Sequence, residues 1–207
     1  MKPAPQEERT FFITTNCYQR QGIFRNEGRA RLMLDVLREN RSKGRFLLHE
    51  FAVMPDHLHI LFTPAPDVSL EKAVQFIKGG FSFRAKKELG YGGEIWQQSF
   101  TERRMKDAAD YAQHAEYIRM NPVRARLAES PDAYPYSSAG NALELDPCPP
   151  WLKPHPKDAE TRGSLRSPLA EARGLPKQPR SSTDRKGPAC AGPWFPDDWR
   201  LTPADCL

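Results

Sequence analysis

Cysteine is scarce and scattered. The chain carries four, Cys17, Cys148, Cys190 and Cys206, with no C-x-x-C pair, so the usual zinc and dithiol signatures are missing and the thiols read as reduced and incidental. No run approaches the roughly 18 consecutive apolar residues of a membrane span, and no early stretch resembles the apolar core of a secretory signal. The expectation is a soluble, cytoplasmic protein with no membrane partner. A phosphate-binding G-x-x-x-x-G-K-[ST] loop and a strand-linked G-x-G-x-x-G are absent too, so any reaction proceeds without ATP.

What remains is a basic chain of 207 residues with one domain's worth of core. Lys and Arg outnumber Asp and Glu by 31 to 26, for a net charge of +5, a balance that favours a polyanionic partner and makes nucleic acid plausible. Twelve of the 20 prolines lie beyond Asp146, in a stretch rich in Ser, Arg and Lys that keeps neither a helical nor a strand period. The chain therefore divides into a body, 1–145, and a Pro/Arg-rich tail, 146–207, expected to be largely disordered. The tail's aromatic cluster PWFPDDW, Pro193 to Trp199, reads equally as a docking motif and as a solvated segment.

The body alternates strand and helix patterns. FFITTNCY, Phe11 to Tyr18, is aromatic and β-branched and predicts a strand. NEGRARLMLDVLREN follows, with Leu32, Val36 and Leu37 at helical spacing, Asn26 as N-cap and Gly44 past the end. FLLHEFAV and HLHILFT form two strands around Met54, Pro55 and Asp56, a hairpin turn. A helix begins at the Ser69 cap and runs to Leu89, with Gly79-Gly80 as a point of interruption or kinking. EIWQQSFTERRM predicts a fourth strand and DAADYAQHAEYIRM a third helix. The order β-α-β-β-α-β-α fits an α+β fold, a ferredoxin-like antiparallel four-stranded sheet with helices packed on one face.

Within FAVMPDHLHILFTP, His57 and His59 share one face of their strand, Cα atoms about 6.6 Å apart, close enough to chelate one ion. Two polar positions on a half-exposed strand would look the same. The flanking Leu58, Ile60, Leu61 and Phe62 make this strand read as buried on both faces, however, and buried imidazoles need partners.

On the third helix, His114, Tyr117 and Asn121 stand three and four residues apart and share a face. Asn121 also suits the N-cap of a new segment opened by Pro122. Tyr117 equally fits an amphipathic tyrosine with its hydroxyl at the surface.

H-L-H after an M-P-D turn, then W-Q-x-x-F, then a helix ending Y-I-x-x-N-P-V-R-A-x-L, resembles the single-tyrosine HUH transposases, in particular the branch called REP-associated tyrosine transposases. The likeness spans about Phe11 to Ala139 and includes PDAYPYSSA. It implies an enzyme, a DNA transposase that cleaves and transfers single-stranded DNA by transesterification through a 5′-phosphotyrosine, acting on hairpin, REP-like DNA without hydrolysis. Carried over by position, His57 and His59 correspond to metal ligands, Tyr117 to the nucleophile and Asn121 to the polar third ligand, with His114 a possible assistant. With nitrogen beside hard oxygen, the divalent metal is expected to be Mg²⁺ or Mn²⁺. Both monomers and homodimers occur among such enzymes. The chain departs from the family pattern at FTERR, where an aromatic-Asp-Arg motif is usual, and at Arg126-Leu127, where Gly often precedes Leu.

For DNA contacts the candidates are Lys78, Arg84, Lys86 and Lys87, interleaved with Phe76, Phe81 and Phe83, then Arg103 and Arg104, and Arg124 near the tyrosine. The same phenylalanines also fit a core and the same lysines a wet face. A replication initiator or relaxase-like nickase would share the chemistry. A non-catalytic nucleic-acid-binding module of the same fold would explain the charge but not His57, His59 and Tyr117 together.

Overall fold

The computed structural model describes residues 9–152. The tail beyond them, with its PWFPDDW cluster, lies outside the described residues.

Aromatic and β-branched residues build β1, Phe11–Asn16, at the centre of the sheet. Helix α1, Glu27–Ser42, starts where the Asn26 side chain accepts from the Arg29 amide, as expected of an N-cap. It ends at Gly44, whose φ of +64° lets the chain turn into the next strand. Strands β2, Phe46–Met54, and β3, His57–Pro64, are joined by the two-residue turn Pro55-Asp56. Helix α2, Leu70–Leu89, is capped by Ser69 and runs unbroken through Gly79-Gly80. The expected kink is absent: a Cβ on Gly80 would lie in ordinary contact with Val36 Cγ1 of α1 at 3.5 Å, and one on Gly79 would meet nothing within 4 Å, so both positions accept regular helix. The fourth strand is shorter than expected, β4 covering Thr101–Arg104. The residues before it leave the ladder and rejoin the end of β1 as an isolated bridge, Trp96 opposite Cys17, with the Trp96 indole N–H donated to the Lys78 carbonyl. Helix α3, Ala108–Arg124, is capped by Asp107.

The strands pair antiparallel in the order β2-β3-β1-β4, the ferredoxin-like arrangement. One face carries Ile13, Leu48, Phe51, Val53, Leu58, Ile60 and Phe62 against α1 and α2. The helices share a face only to that extent. Phe12, Ala52, Met54 and Leu61 point the other way and meet Ala115 and Ile118 of α3, so the third helix covers the opposite side.

A bulge between Leu48 and Glu50 shifts the alternation of β2 by one residue. It keeps Leu48 and Phe51 on the same side and leaves His49 and Glu50 both buried on the α3 side, where His49 packs edge-on against Tyr111 and Glu50 pairs with Arg119 of α3.

The free edge of β2 is covered by residues 134–146. Val53 donates to the Tyr136 carbonyl at 2.9 Å, Ser138 to Phe51 at 2.9 Å and Asp146 to Leu48 at 2.7 Å. Gly140 is required in this strap, because a Cβ there would stand 2.2 Å from the Tyr134 carbonyl oxygen. Residues 146–152, read as tail from composition, belong to the body: the Asp146 carboxylate accepts from Arg41 and from the Leu48 amide, and Leu152 is buried beneath α3. Among the described residues, no helix is long and apolar enough to cross a membrane.

Candidate active site

His57 and His59, the first and third residues of β3, face α3, and the pairing with β1 sets Asn16 opposite His57 and Thr14 opposite His59. Their Nε2 atoms stand 3.1 Å apart. Each Nδ1 is held from behind, His57 by the Asp56 carboxylate at 2.6 Å and His59 by the Thr14 hydroxyl at 2.8 Å. A carboxylate only accepts, so neutral His57 carries its proton on Nδ1 and leaves a bare lone pair on Nε2. Phe12 stacks on His59 with ring centroids 5.5 Å apart. Burial, reinforced by His57 and Arg20, holds the His59 pKa well below the ordinary 6.5. His57 is lowered as well, burial outweighing the opposing pull of Asp56. Both imidazoles are therefore neutral at pH 7 and fit to act as ligands.

Helix α3 brings the other two residues to the same point. The Asn121 carboxamide lies 3.2 Å from His59 Nε2. The Tyr117 ring meets His59 edge-on at 5.3 Å and Phe12 at 5.9 Å. Asn121 is not the cap of a new helix, since α3 continues through Pro122 to Arg124. Proline is tolerated so close to the end because the turn still closes around it, Ala125 donating to the Asn121 carbonyl and Leu127 to that of Pro122. All four residues come from one chain.

The donor set fits a divalent cation. His57, protonated on Nδ1, presents its Nε2 lone pair 3.1 Å from His59 Nε2, a gap that a proton on His59 Nε2 or a cation can bridge. Two nitrogens each about 2.1 Å from one ion, at a right angle, stand about 3.0 Å apart. The Asn121 amide, turned end for end, offers its oxygen where its nitrogen is drawn. Among the described residues, no group of three or more His, Cys, Asp or Glu gathers to hold a metal; two imidazoles and one amide oxygen are the donors that meet here.

The other expected residues divide. His114 is buried, its Nδ1 2.8 Å from the Asp110 carbonyl and its ring 5.0 Å from Phe12, so it supports the ring that backs His59. The Arg124 guanidinium sits 5.6 Å from the centre of the Tyr117 ring. Arg103 pairs with Asp110 at 3.2 Å, and Arg104 is exposed on β4. Lys78, Arg84, Lys86 and Lys87 do not join the site. They belong to α2, which packs on the sheet face turned away from His57 and His59. The Lys78 ammonium instead binds the Gln97 carbonyl at 2.6 Å, with its pKa lowered by burial, and Arg84 pairs with Glu88 and Glu39. Phe81 is core, whereas Phe83 is exposed.

Residues 10–121 match the family described as Transposase IS200 like. The chain belongs to the IS200-like transposases. Relatives of this transposase include the REP-associated tyrosine transposase of Escherichia coli K12, 25% identical over 130 residues, which span 62% of this chain and 75% of the relative. A putative REP-associated tyrosine transposase of Haemophilus influenzae is 31% identical over 96 residues, 42% of this chain and 54% of that one. Among solved structures, a REP-associated tyrosine transposase bound to a REP hairpin superposes with a TM-score of 0.55 at 25% identity, covering 71% of this chain and 87% of the other. The transposase is accordingly an enzyme of DNA transposition, built on the fold expected from its element order.

Thr14, Asp56, Arg20 and Phe12 are the site residues that sequence reasoning misses. Asp56 was visible only as a turn former. Thr14 becomes visible once the β1–β3 register is known, because it stands directly across from His59.

Proposed function

We propose that this transposase cleaves single-stranded DNA beside a hairpin and transfers the cut strand through a 5′-phosphotyrosine on Tyr117. The observation that carries the proposal is the meeting, within one chain, of two imidazole Nε2 atoms 3.1 Å apart with a tyrosine ring 5.3 Å from one of them. The similarity to hairpin-bound REP-associated transposases supports hairpin DNA as the partner. The nearness of Tyr117 to His59 of its own chain supports action in cis.

His57, His59 and Asn121 would hold a divalent cation, with Mg²⁺ or Mn²⁺ suited to the mixed nitrogen and oxygen donors. When bound, it supplies charge to offset that developing on the phosphate oxygens. Tyr117 Oη forms a bond to phosphorus as the bond from phosphorus to the 3′ oxygen breaks; the phenol gives up a proton and the departing 3′ oxygen takes one up. One phosphodiester replaces another, so the step is nearly balanced and reverses when a 3′-hydroxyl attacks the phosphotyrosine. That reversal onto a different end is strand transfer. Phe12, backed by His114, keeps His59 and Tyr117 in register. Arg124, beside the tyrosine ring, is placed to meet a phosphate. The catalytic unit is the body, extended from the expected 1–145 to include residues 146–152, which pack on it.

The test is covalent capture on a labelled hairpin oligonucleotide with a single-stranded flank, in Mg²⁺ or Mn²⁺. An adduct on the peptide containing Tyr117, lost in Tyr117→Phe, lost in His57→Ala and lost on chelation, is the expected result. An adduct that survives in Tyr117→Phe overturns the nucleophile, and cleavage indifferent to chelation overturns the metal.

A further inference from the structure

The two histidines are ligands only if their Nε2 lone pairs point the right way, and the groups that decide this lie outside the ligand set. Asp56 occupies the turn between β2 and β3, where both backbone carbonyls are pinned to the segment after β1: Asp56 accepts from the Cys17 amide at 2.8 Å and Pro55 from the Phe24 amide at 2.9 Å. Its carboxylate is shared, one oxygen 2.6 Å from His57 Nδ1 and the other 3.2 Å from Arg20 Nε. Arg20 Nη1 also donates to the Asn16 side-chain oxygen at 2.6 Å, on the residue paired with His57 across the sheet.

Arg20 reaches this position through an uncommon backbone. Gln19 and Arg20 both lie in the left-handed region, with φ of 49° and 56°, and neither is glycine. Consecutive non-glycine residues there are disfavoured and persist only where the surroundings hold them. The Arg20 side chain is 56% exposed, and an ion pair open to water to that extent adds little to folding. As a stability element the arrangement costs more than it returns, so its benefit lies elsewhere.

We infer that Arg20 and Asp56 are a positioning pair that fixes the tautomer and aim of His57, while Thr14 holds only the orientation of His59, and that the pair sets the affinity of the site for its divalent cation from behind the ligand. The inference rests on the reading of His57 and His59 as metal ligands. Asp56 enforces the Nδ1–H form of His57, and Arg20 keeps the Asp56 carboxylate from swinging into solvent. Thr14 can both donate and accept, so its hold on His59 is the looser of the two. Outer partners of this kind typically change metal affinity by about 10- to 100-fold when removed.

The experiment uses the full chain and Mn²⁺ alone, without DNA. Calorimetry gives Mn²⁺ affinity, long-range ¹⁵N spectra of the histidine side chains give the tautomers, and a thermal melt confirms folding, for the wild type, His57→Ala, Asp56→Asn, Arg20→Gln and Arg20→Lys. Asp56→Asn is expected to weaken Mn²⁺ binding by about 10-fold or more and to shift His57 towards the Nε2–H form. Arg20→Gln moves both readouts in the same direction by less, and Arg20→Lys restores part of the loss. Arg20 lies on the surface, so its variants remain readable if Asp56→Asn fails to fold. Loss of binding in His57→Ala with Mn²⁺ affinity and His57 tautomer unchanged in Asp56→Asn and Arg20→Gln overturns this inference and leaves the ligand reading intact. Wild-type affinity in His57→Ala overturns both.

Discussion

Arg119 donates through two nitrogens to a single carboxylate oxygen of Glu50, joining α3 to β2 from the turn of the helix that lies between Tyr117 and Asn121. The other Glu50 oxygen accepts from the Ser138 hydroxyl on the edge strap. Glu50 is only 6% exposed, whereas Arg119 is raised in pKa by its bond to that carboxylate and stays partly in water.

Unequal burial predicts unequal costs. Arg119→Met strands a buried carboxylate and should lower stability by about 2–3 kcal/mol, less than for a fully buried pair because the arginine is partly solvated. Glu50→Gln keeps an acceptor for Ser138 and frees an arginine that can reach water, at about 1 kcal/mol. The double variant Glu50→Leu/Arg119→Met should be more stable than Arg119→Met alone. Urea midpoints of the three variants check the order.

Arg126 ends α3 with φ of 57°, its amide donating to the Val123 carbonyl while the Leu127 amide reaches Pro122. This is the left-handed position that most often falls to glycine after a helix, the physical ground for expecting Gly-Leu at this place. Arg126→Gly should raise stability by about 1 kcal/mol, read as a higher urea midpoint with unchanged slope.

Three histidines, the buried His49 and His59 and the half-buried His57, have pKa values lowered chiefly by burial. A lowered value in the folded state means that the unfolded chain takes up protons first as the pH falls below about 6.5. Their contribution is complete above that pH and is lost progressively as the pH drops towards the folded values. Metal-free protein should therefore lose stability between pH 7 and pH 5. His49→Gln, which can keep a bond to Thr63, should flatten the decline. Denaturation midpoints across that range test it.

Basic residues on α2 face away from the proposed chemistry. Lys86→Ala/Lys87→Ala should change covalent capture of a hairpin oligonucleotide by less than about twofold at physiological salt, where distant charges are screened. Arg124→Ala, beside Tyr117, should lower it on the order of tenfold, the scale of about 1.4 kcal/mol of transition-state stabilisation. Single-turnover rates on one substrate separate the two outcomes.

The site was readable in sequence to the extent that it is local. An i, i+2 pair on a strand and an i, i+4 pair on a helix fix which side chains travel together, so His57 with His59, and Tyr117 with Asn121, follow from spacing. The face of the sheet on which a helix lands does not follow. An amphipathic stripe is satisfied by either side, which is why the α2 lysines looked like neighbours of the site and α3 looked like a companion of the other helices. The bulge at His49-Glu50 is equally hidden, since FLLHEFAV shows an apolar run in either register. Asp56 and Thr14 depend on pairing across 45 residues or on a turn's orientation, and Arg20 on a backbone conformation its sequence does not favour.

The strap at 134–146 also governs what the sheet can recruit. With the outer border of β2 already hydrogen-bonded, the sheet edge left to an intruding extended chain among the described residues is that of β4. That strand is four residues long and places Glu102, Arg103 and Arg104 in sequence, the short and charged border that discourages fibrillar stacking. Resistance to aggregation is thus written into the way the chain folds back on itself.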